Sequence, residues 1–157
     1  MSYWLLSRNR WIVRAFAGPE DPLDAMLHRV QNDLFNAGSD LATPPSSRWE
    51  GMIRPSEEDC TRLEGWMDTM NEDLEPLREF ILPGGGKVGA FLHQARTVCR
   101  RAEREVVALM AQDPDVDGAS LRYLNRLSDF LFVAGRWSAK RRGEPEPLWE
   151  QIGRAHV

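Results

Sequence analysis

A helical period runs through most of this chain and constrains its fold more than any other feature. Leu92, Ala95, Cys99, Ala102, Val106 and Met110 recur every three or four residues, the spacing that gathers side chains on one face of an α-helix. Leu23, Met26, Leu27, Val30, Leu34 and Leu41 repeat the pattern over about 22–41, and Leu63, Trp66, Met67, Met70 and Leu74 supply a second run. Breakers divide the runs: Pro19 and Pro22, the Thr-Pro-Pro-Ser-Ser stretch at 43–47, Pro76, Pro83-Gly84-Gly85-Gly86, and Asp113-Pro114 with Gly118. Ser56 with Asp59 matches a capping box at the head of the second helix. The third helix, about 87–112, would be roughly 40 Å long, and the last long helix covers about 119–142. The expected fold is all-α, an antiparallel bundle of four to five long helices. Gly84-Gly85-Gly86-Lys87 lacks the spacing and the closing Ser or Thr of a phosphate loop, and no strand precedes it, so it reads as a flexible turn into the third helix.

Composition narrows the function classes. A chain of 157 residues with 42% hydrophobic content suits one domain with its own core. A net charge of −4 gives no support for a nucleic-acid partner. No stretch approaches the roughly 20 apolar residues of a membrane span, and Arg8, Arg10 and Arg14 interrupt the apolar N-terminus, against a secretory signal. Cys60 and Cys99 suggest no disulfide framework, so a cytoplasmic, reducing compartment is expected. His28, His93 and His156 show no metal-ligand spacing.

Polar residues flank the helical stripes. Arg96, Arg100 and Glu103 fall within roughly 60° of one another on the shoulder of the third helix. Two arginines one turn apart can clamp a phosphate or another oxyanion, although ordinary pairing with Glu103 would use the same spacing. On the last helix, Asn125, Asp129, Phe132 and Arg136 cluster beside the stripe of Leu121, Leu124, Ser128, Leu131 and Gly135. An Asn amide there suits a nucleobase or sugar, or else a neighbouring helix. Tyr123, Phe130 and Trp137 share the opposite face, leaving that helix apolar nearly all round. Such a helix is either central or covered by another subunit, and oligomerisation is expected.

Four blocks carry a family resemblance: QNDLFNAGSDLATP (31–44), FILPGGGK (80–87), ARTVCRRAER (95–104) and LNRLSDFLF (124–132). In this order they resemble the trimeric, propanediol-utilisation type of ATP:corrinoid adenosyltransferase. The resemblance implies a ferritin-like, up-and-down bundle over residues 18–142, a homotrimer, and two substrates, reduced cobalamin and ATP with magnesium. It implies that Phe80 closes the lower face of the corrinoid, with Phe132 as a second aromatic of that pocket. Arg100 would bind the polyphosphate, Glu103 would belong to the nucleotide site and Asn125 would contact the nucleoside. Arg96 would adjoin the ATP site and pair with an aspartate of another subunit. Phe80, Arg100 and Glu103 are thereby the expected catalytic set, while His93 and Arg101 are expected as supporting or surface residues. A cobalamin reductase and an adenosylcobalamin-dependent enzyme are the implied partners.

The front of the chain departs from the family pattern. Members carry a glycine-rich loop of Thr-Arg-Thr-Gly-Asp type, followed by a helix with an Asp-Glu-Leu-Asn-like motif. Residues 1–17 hold no glycine and no acid and read as a non-matching leader, with 143–157 as a C-terminal tail. Slow or absent transfer is therefore expected of the chain as it stands. The alternative to an enzyme is a non-catalytic corrinoid carrier or regulator on the same bundle.

Overall fold

The computed structural model describes residues 14–150. Four long helices dominate them: α1 (Pro22–Ala42), α2 (Glu57–Glu72), α3 (Gly86–Gln112) and α4 (Ala119–Arg142). A 3-10 turn at Pro45–Ser47 and a helical stretch over 14–17 complete the regular structure. Among the described residues there is no sheet, only an isolated antiparallel bridge between Ile81 and Leu148. No helix among them is long and apolar enough to cross a membrane.

Local chemistry sets the helix ends. The Asp21 side chain accepts the Leu23 N–H at 3.0 Å and Pro22 opens α1, where a missing N–H costs nothing. Ser56 and Asp59 form the expected capping box at the head of α2. Gly143, at φ +64°, closes α4 behind Lys140, Arg141 and Arg142, cations that suit the negative end of a helix dipole.

Helix directions follow from paired contacts. Cys99 meets Leu124 and His93 meets Phe132, so α3 runs antiparallel to α4. Asp33 reaches Tyr123 while Asp21 reaches Arg142, so α1 is antiparallel to α4 as well. Glu64 pairs with Arg126 and Asp73 bonds Trp137, which makes α2 parallel to α4. The result is an up-down-up-down bundle in which α4 touches each of the other three helices.

That central position corrects one expectation. Tyr123, Phe130 and Trp137 are buried within a single chain. The Phe130 ring packs 5.6 Å from Trp66 of α2, and Trp137 Nε1 donates to Asp73 at 2.9 Å. The apolar back of α4 is covered by α2, so it supplies no reason for a second subunit.

Two buried carboxylates tie α1 to its neighbours. Asp33 accepts bonds from Arg29 (2.9 Å), Arg62 (2.8 Å) and the Tyr123 hydroxyl (3.2 Å). Asp40 accepts from Arg54 (2.5 Å) and Ser120 (3.3 Å) and pairs with Arg48 at 3.1 Å. Burial, then the Asp33 charge, pushes the Tyr123 hydroxyl well above its ordinary pKa, so it stays a donor. Burial works against the charged form of Asp59, but bonds from Arg62 and Ser56 outweigh it and hold that carboxyl below its usual range.

Removing one partner of a buried charge cluster leaves the others uncompensated, at a cost of about 3 kcal/mol. Asp33→Ala should lower the unfolding free energy by about that amount in urea titration. Asp129→Ala, which removes an exposed pair with Arg126, should change it by less than about 1 kcal/mol.

Candidate functional site

The α3–α4 seam carries the site, and glycine makes the seam close. Gly85 caps α3 at φ +77°, and a Cβ there would stand 2.7 Å from the Ala139 Cβ. A Cβ on Gly89 would fall 2.4 Å from the Gly84 carbonyl oxygen. The glycine run expected as a flexible turn is therefore a packed corner that only glycine can fill.

The segment before this corner is held from two sides. Arg136 of α4 is buried, donating to the Glu75 carbonyl at 3.1 Å and to Glu146 at 3.2 Å. The C-terminal segment then runs alongside: the Leu82 N–H donates to the Pro147 carbonyl and the Trp149 N–H to the Phe80 carbonyl, both at 2.8 Å. Phe80 stands on this framework 79% exposed, edge-on to Trp149 with ring centroids 6.3 Å apart.

Phe80 and Phe132 line one open cavity of about 480 Å³, together with Leu77, Ile81 and Arg96. The Arg96 guanidinium lies 5.2 Å from the centre of the Phe132 ring, a cation–π contact. Its Nε is buried with no hydrogen-bond partner among the described residues. His93, expected as a supporting or surface residue, is buried: its ring meets Phe132 at 6.1 Å and 68°. Burial, then the nearby Arg96 charge, lowers its pKa below the ordinary histidine value, against a weaker opposite pull from Glu146.

Further along the same shoulder stands a polar cluster centred on Glu103. One carboxylate oxygen accepts from Arg100 Nη1 at 2.6 Å and the other from Asn125 Nδ2 at 3.0 Å. Glu103 thus bridges α3 to α4 and orients both groups. Arg100 remains about half exposed, and Glu103 and Asn125 line a second cavity of about 330 Å³ with Arg122 and Arg126. Beneath the cluster the Cys99 thiol donates to the Leu124 carbonyl at 3.2 Å, and burial pushes its pKa up to about 12. This thiol packs the seam and has no nucleophilic character.

The six residues expected at the site therefore fall into two groups. Phe80, Phe132 and Arg96 meet at the apolar cavity, whereas Arg100, Glu103 and Asn125 meet at the polar one. The two arginines do not act as one clamp: Arg96 is spent on an aromatic ring and Arg100 on a carboxylate. Asp129 pairs with Arg126 instead of joining either group. Residues 1–13, which hold most of the expected leader, lie outside the described residues. Among those described, no group of three or more His, Cys, Asp or Glu side chains could hold a metal ion.

Comparison with known proteins places the chain among relatives of one family. Residues 9–138 match the family model described as Cobalamin adenosyltransferase. Corrinoid adenosyltransferase MMAB of Bos taurus is 41% identical over 133 residues, 83% of this chain and 55% of that protein. The Corrinoid adenosyltransferase of Mycobacterium leprae is 42% identical over 130 residues, covering 80% of this chain and 68% of its own. The chain thus spans little more than half the length of the bovine relative. A PduO-type ATP:corrinoid adenosyltransferase variant from Lactobacillus reuteri, solved with cobalamin and ATP, superposes with a TM-score of 0.81 at 30% identity, over 96% of this chain and 84% of that one.

The glycine corner yields a direct test. Gly85→Ala meets both an unfavourable φ and the Ala139 side chain, and should destabilise the protein by about 2–3 kcal/mol in thermal or urea unfolding. Gly18→Ala, at φ +87° with nothing within 4 Å of its Cβ, should cost about 1 kcal/mol.

Proposed function

This chain belongs to the cobalamin adenosyltransferase family, and on that premise we propose that it transfers the adenosyl group of ATP to the cobalt of a reduced corrinoid. The electron pair on cobalt attacks the five-prime carbon of ATP. The bond from that carbon to oxygen breaks and its pair leaves with triphosphate, so cobalt is oxidised by two electrons. The observation that carries this reading is the pairing of an aromatic cavity with an arginine–carboxylate–amide cluster on one helix shoulder. Arg96 and Glu103 are seven residues apart, roughly 10 Å along the axis. A flat macrocycle at one and a nucleotide at the other would meet between them.

Each side chain has a task suited to its setting. Phe80 and Phe132 offer an apolar wall that excludes water and a competing nitrogen ligand from one face of the corrinoid. Arg100, already oriented by Glu103, presents its remaining donors to the polyphosphate. Asn125 gives one N–H to Glu103 and keeps its carbonyl for the nucleoside. Holding both reactants in line removes the orientational cost of a bimolecular step. Magnesium would come with the nucleotide, and no step here runs through it. The remaining partners of this reading are a reductase that supplies reduced corrinoid and an adenosylcobalamin-dependent enzyme that takes the product, in the cytoplasm.

We also infer a homotrimer. The unpartnered Arg96 Nε supports it, since an aspartate of a neighbouring copy would satisfy that donor. Exposed Phe35, Trp49 and Ile53 supply apolar surface for assembly. Sedimentation at micromolar concentration should show a trimer, and a stable monomer would remove this part of the proposal.

A turnover assay with reduced cobalamin and ATP tests the activity. Transfer supports the enzyme, while corrinoid binding without transfer identifies a carrier. Phe80→Ala should diminish the four-coordinate signature in the spectrum of bound cob(II)alamin while leaving the fold intact. A charge-assisted hydrogen bond contributes about 1.5–3 kcal/mol, so Arg100→Ala should weaken ATP roughly ten- to a hundredfold by calorimetry.

A further inference from the structure

We propose that His93 is a positioning residue: its uncharged imidazole, packed against Phe132 one turn ahead of Arg96, sets how the phenyl ring and the guanidinium face the aromatic cavity. The inference rests on the corrinoid reading for the use of that cavity, but the contact itself does not.

Geometry carries the argument. His93 is 8% exposed and stands behind the wall, on a phenyl ring whose face Arg96 also covers. Gly135 of α4 makes room for it, since a Cβ there would come within 3.3 Å of His93 Nε2. The Phe132 ring is therefore gripped by two α3 side chains three residues apart, one permanently charged and one able to charge. A second cation beside Arg96 would repel it and compete for the same ring.

The charged groups acting on His93 are Arg96 from its own helix and Glu146 from the C-terminal segment, and Arg136 of α4 already pairs with Glu146. Burial and Arg96 together favour the neutral ring. A histidine whose folded pKa is depressed binds fewer protons folded than unfolded. Its stabilising effect is complete above about pH 6.5 and falls away as pH drops toward the folded value. The cavity wall in the folded protein should loosen only as the pH falls through that lower, folded value.

Two measurements test this in the full chain. In ligand-free protein, the Phe132 ring resonances should shift in step with the His93 imidazole during an NMR titration. In binding experiments, cob(II)alamin affinity should stay level down to about pH 6.5 and fall several-fold as the pH drops further, with the four-coordinate signature falling in parallel. His93→Gln should bind more weakly at neutral pH and show a flat profile. Phe132 resonances that ignore the His93 titration would overturn the proposal, as would a His93→Gln protein that keeps the wild-type pH dependence. Absence of cobalamin binding at every pH would count against the corrinoid reading instead, and the ring titration alone would then decide the role of His93.

Discussion

The close approach of α3 to α4 is the constraint on which the site depends. At Gly85, Gly89 and Gly135 a methyl group would meet a neighbouring atom at 3.3 Å or less. At these three positions there is no room for a side chain. Long side chains are displaced to the flanks, where they can reach across: Glu103 to Asn125 and Arg96 to Phe132. Beyond the glycines, Leu92, Cys99, Leu124 and Leu131 pack the interior and the chemistry stands on its shoulder.

Such a seam still needs its rotation fixed, and apolar packing alone is forgiving about rotation. The carboxylates of α1 provide that. Asp33 and Asp40 lie two turns apart and take donors from α4 (Tyr123 and Ser120) and from arginines beyond α1. Turning α4 by a few tens of degrees would break both of its bonds to these carboxylates, each worth about 1.5–3 kcal/mol as a hydrogen bond to a charged group. The residues that present Phe132 and Asn125 to solvent are thereby held by the opposite face of the same helix.

Helix bounds were legible because breakers and caps act locally. Ser56 and Asp59 form their box, and Leu92, Ala95, Cys99 and Val106 of the α3 stripe are buried. The apolar back of α4 was legible too, but not what covers it, since periodicity marks a face without naming its neighbour; Trp66 supplied the answer. Asp33 and Asp40 carried a signal that was overlooked, acids at seven-residue spacing beside Leu34 and Leu41 on a buried stripe. Burial of His93 shows only when Gly135 is read as space on the facing helix. The C-terminal segment gave no warning: Glu-Pro-Glu-Pro at 144–147 resembles a linker, and its pairing with residues 80–82 is a tertiary event.

Arg96 belongs to the apolar half of the site and is the site's least satisfied member among the described residues. Arg48 and Arg62 also leave a buried Nε unbonded, but both direct their other nitrogens to carboxylates. Arg96 makes no ion pair among the described residues and leans on the Phe132 ring. A buried N–H without a partner costs about 1–3 kcal/mol, and a cation–π contact at a partly exposed site returns about 0.5–2 kcal/mol of that. The balance leaves the residue poised. An oxyanion arriving from outside the described residues would meet a donor whose Nε is already buried. Its arrival would also draw Arg96 from the Phe132 ring, leaving His93 against it. A group bound at Arg96 would therefore be felt on the apolar side through Phe132, while the polar side is set separately by the Glu103 bridge to Arg100 and Asn125.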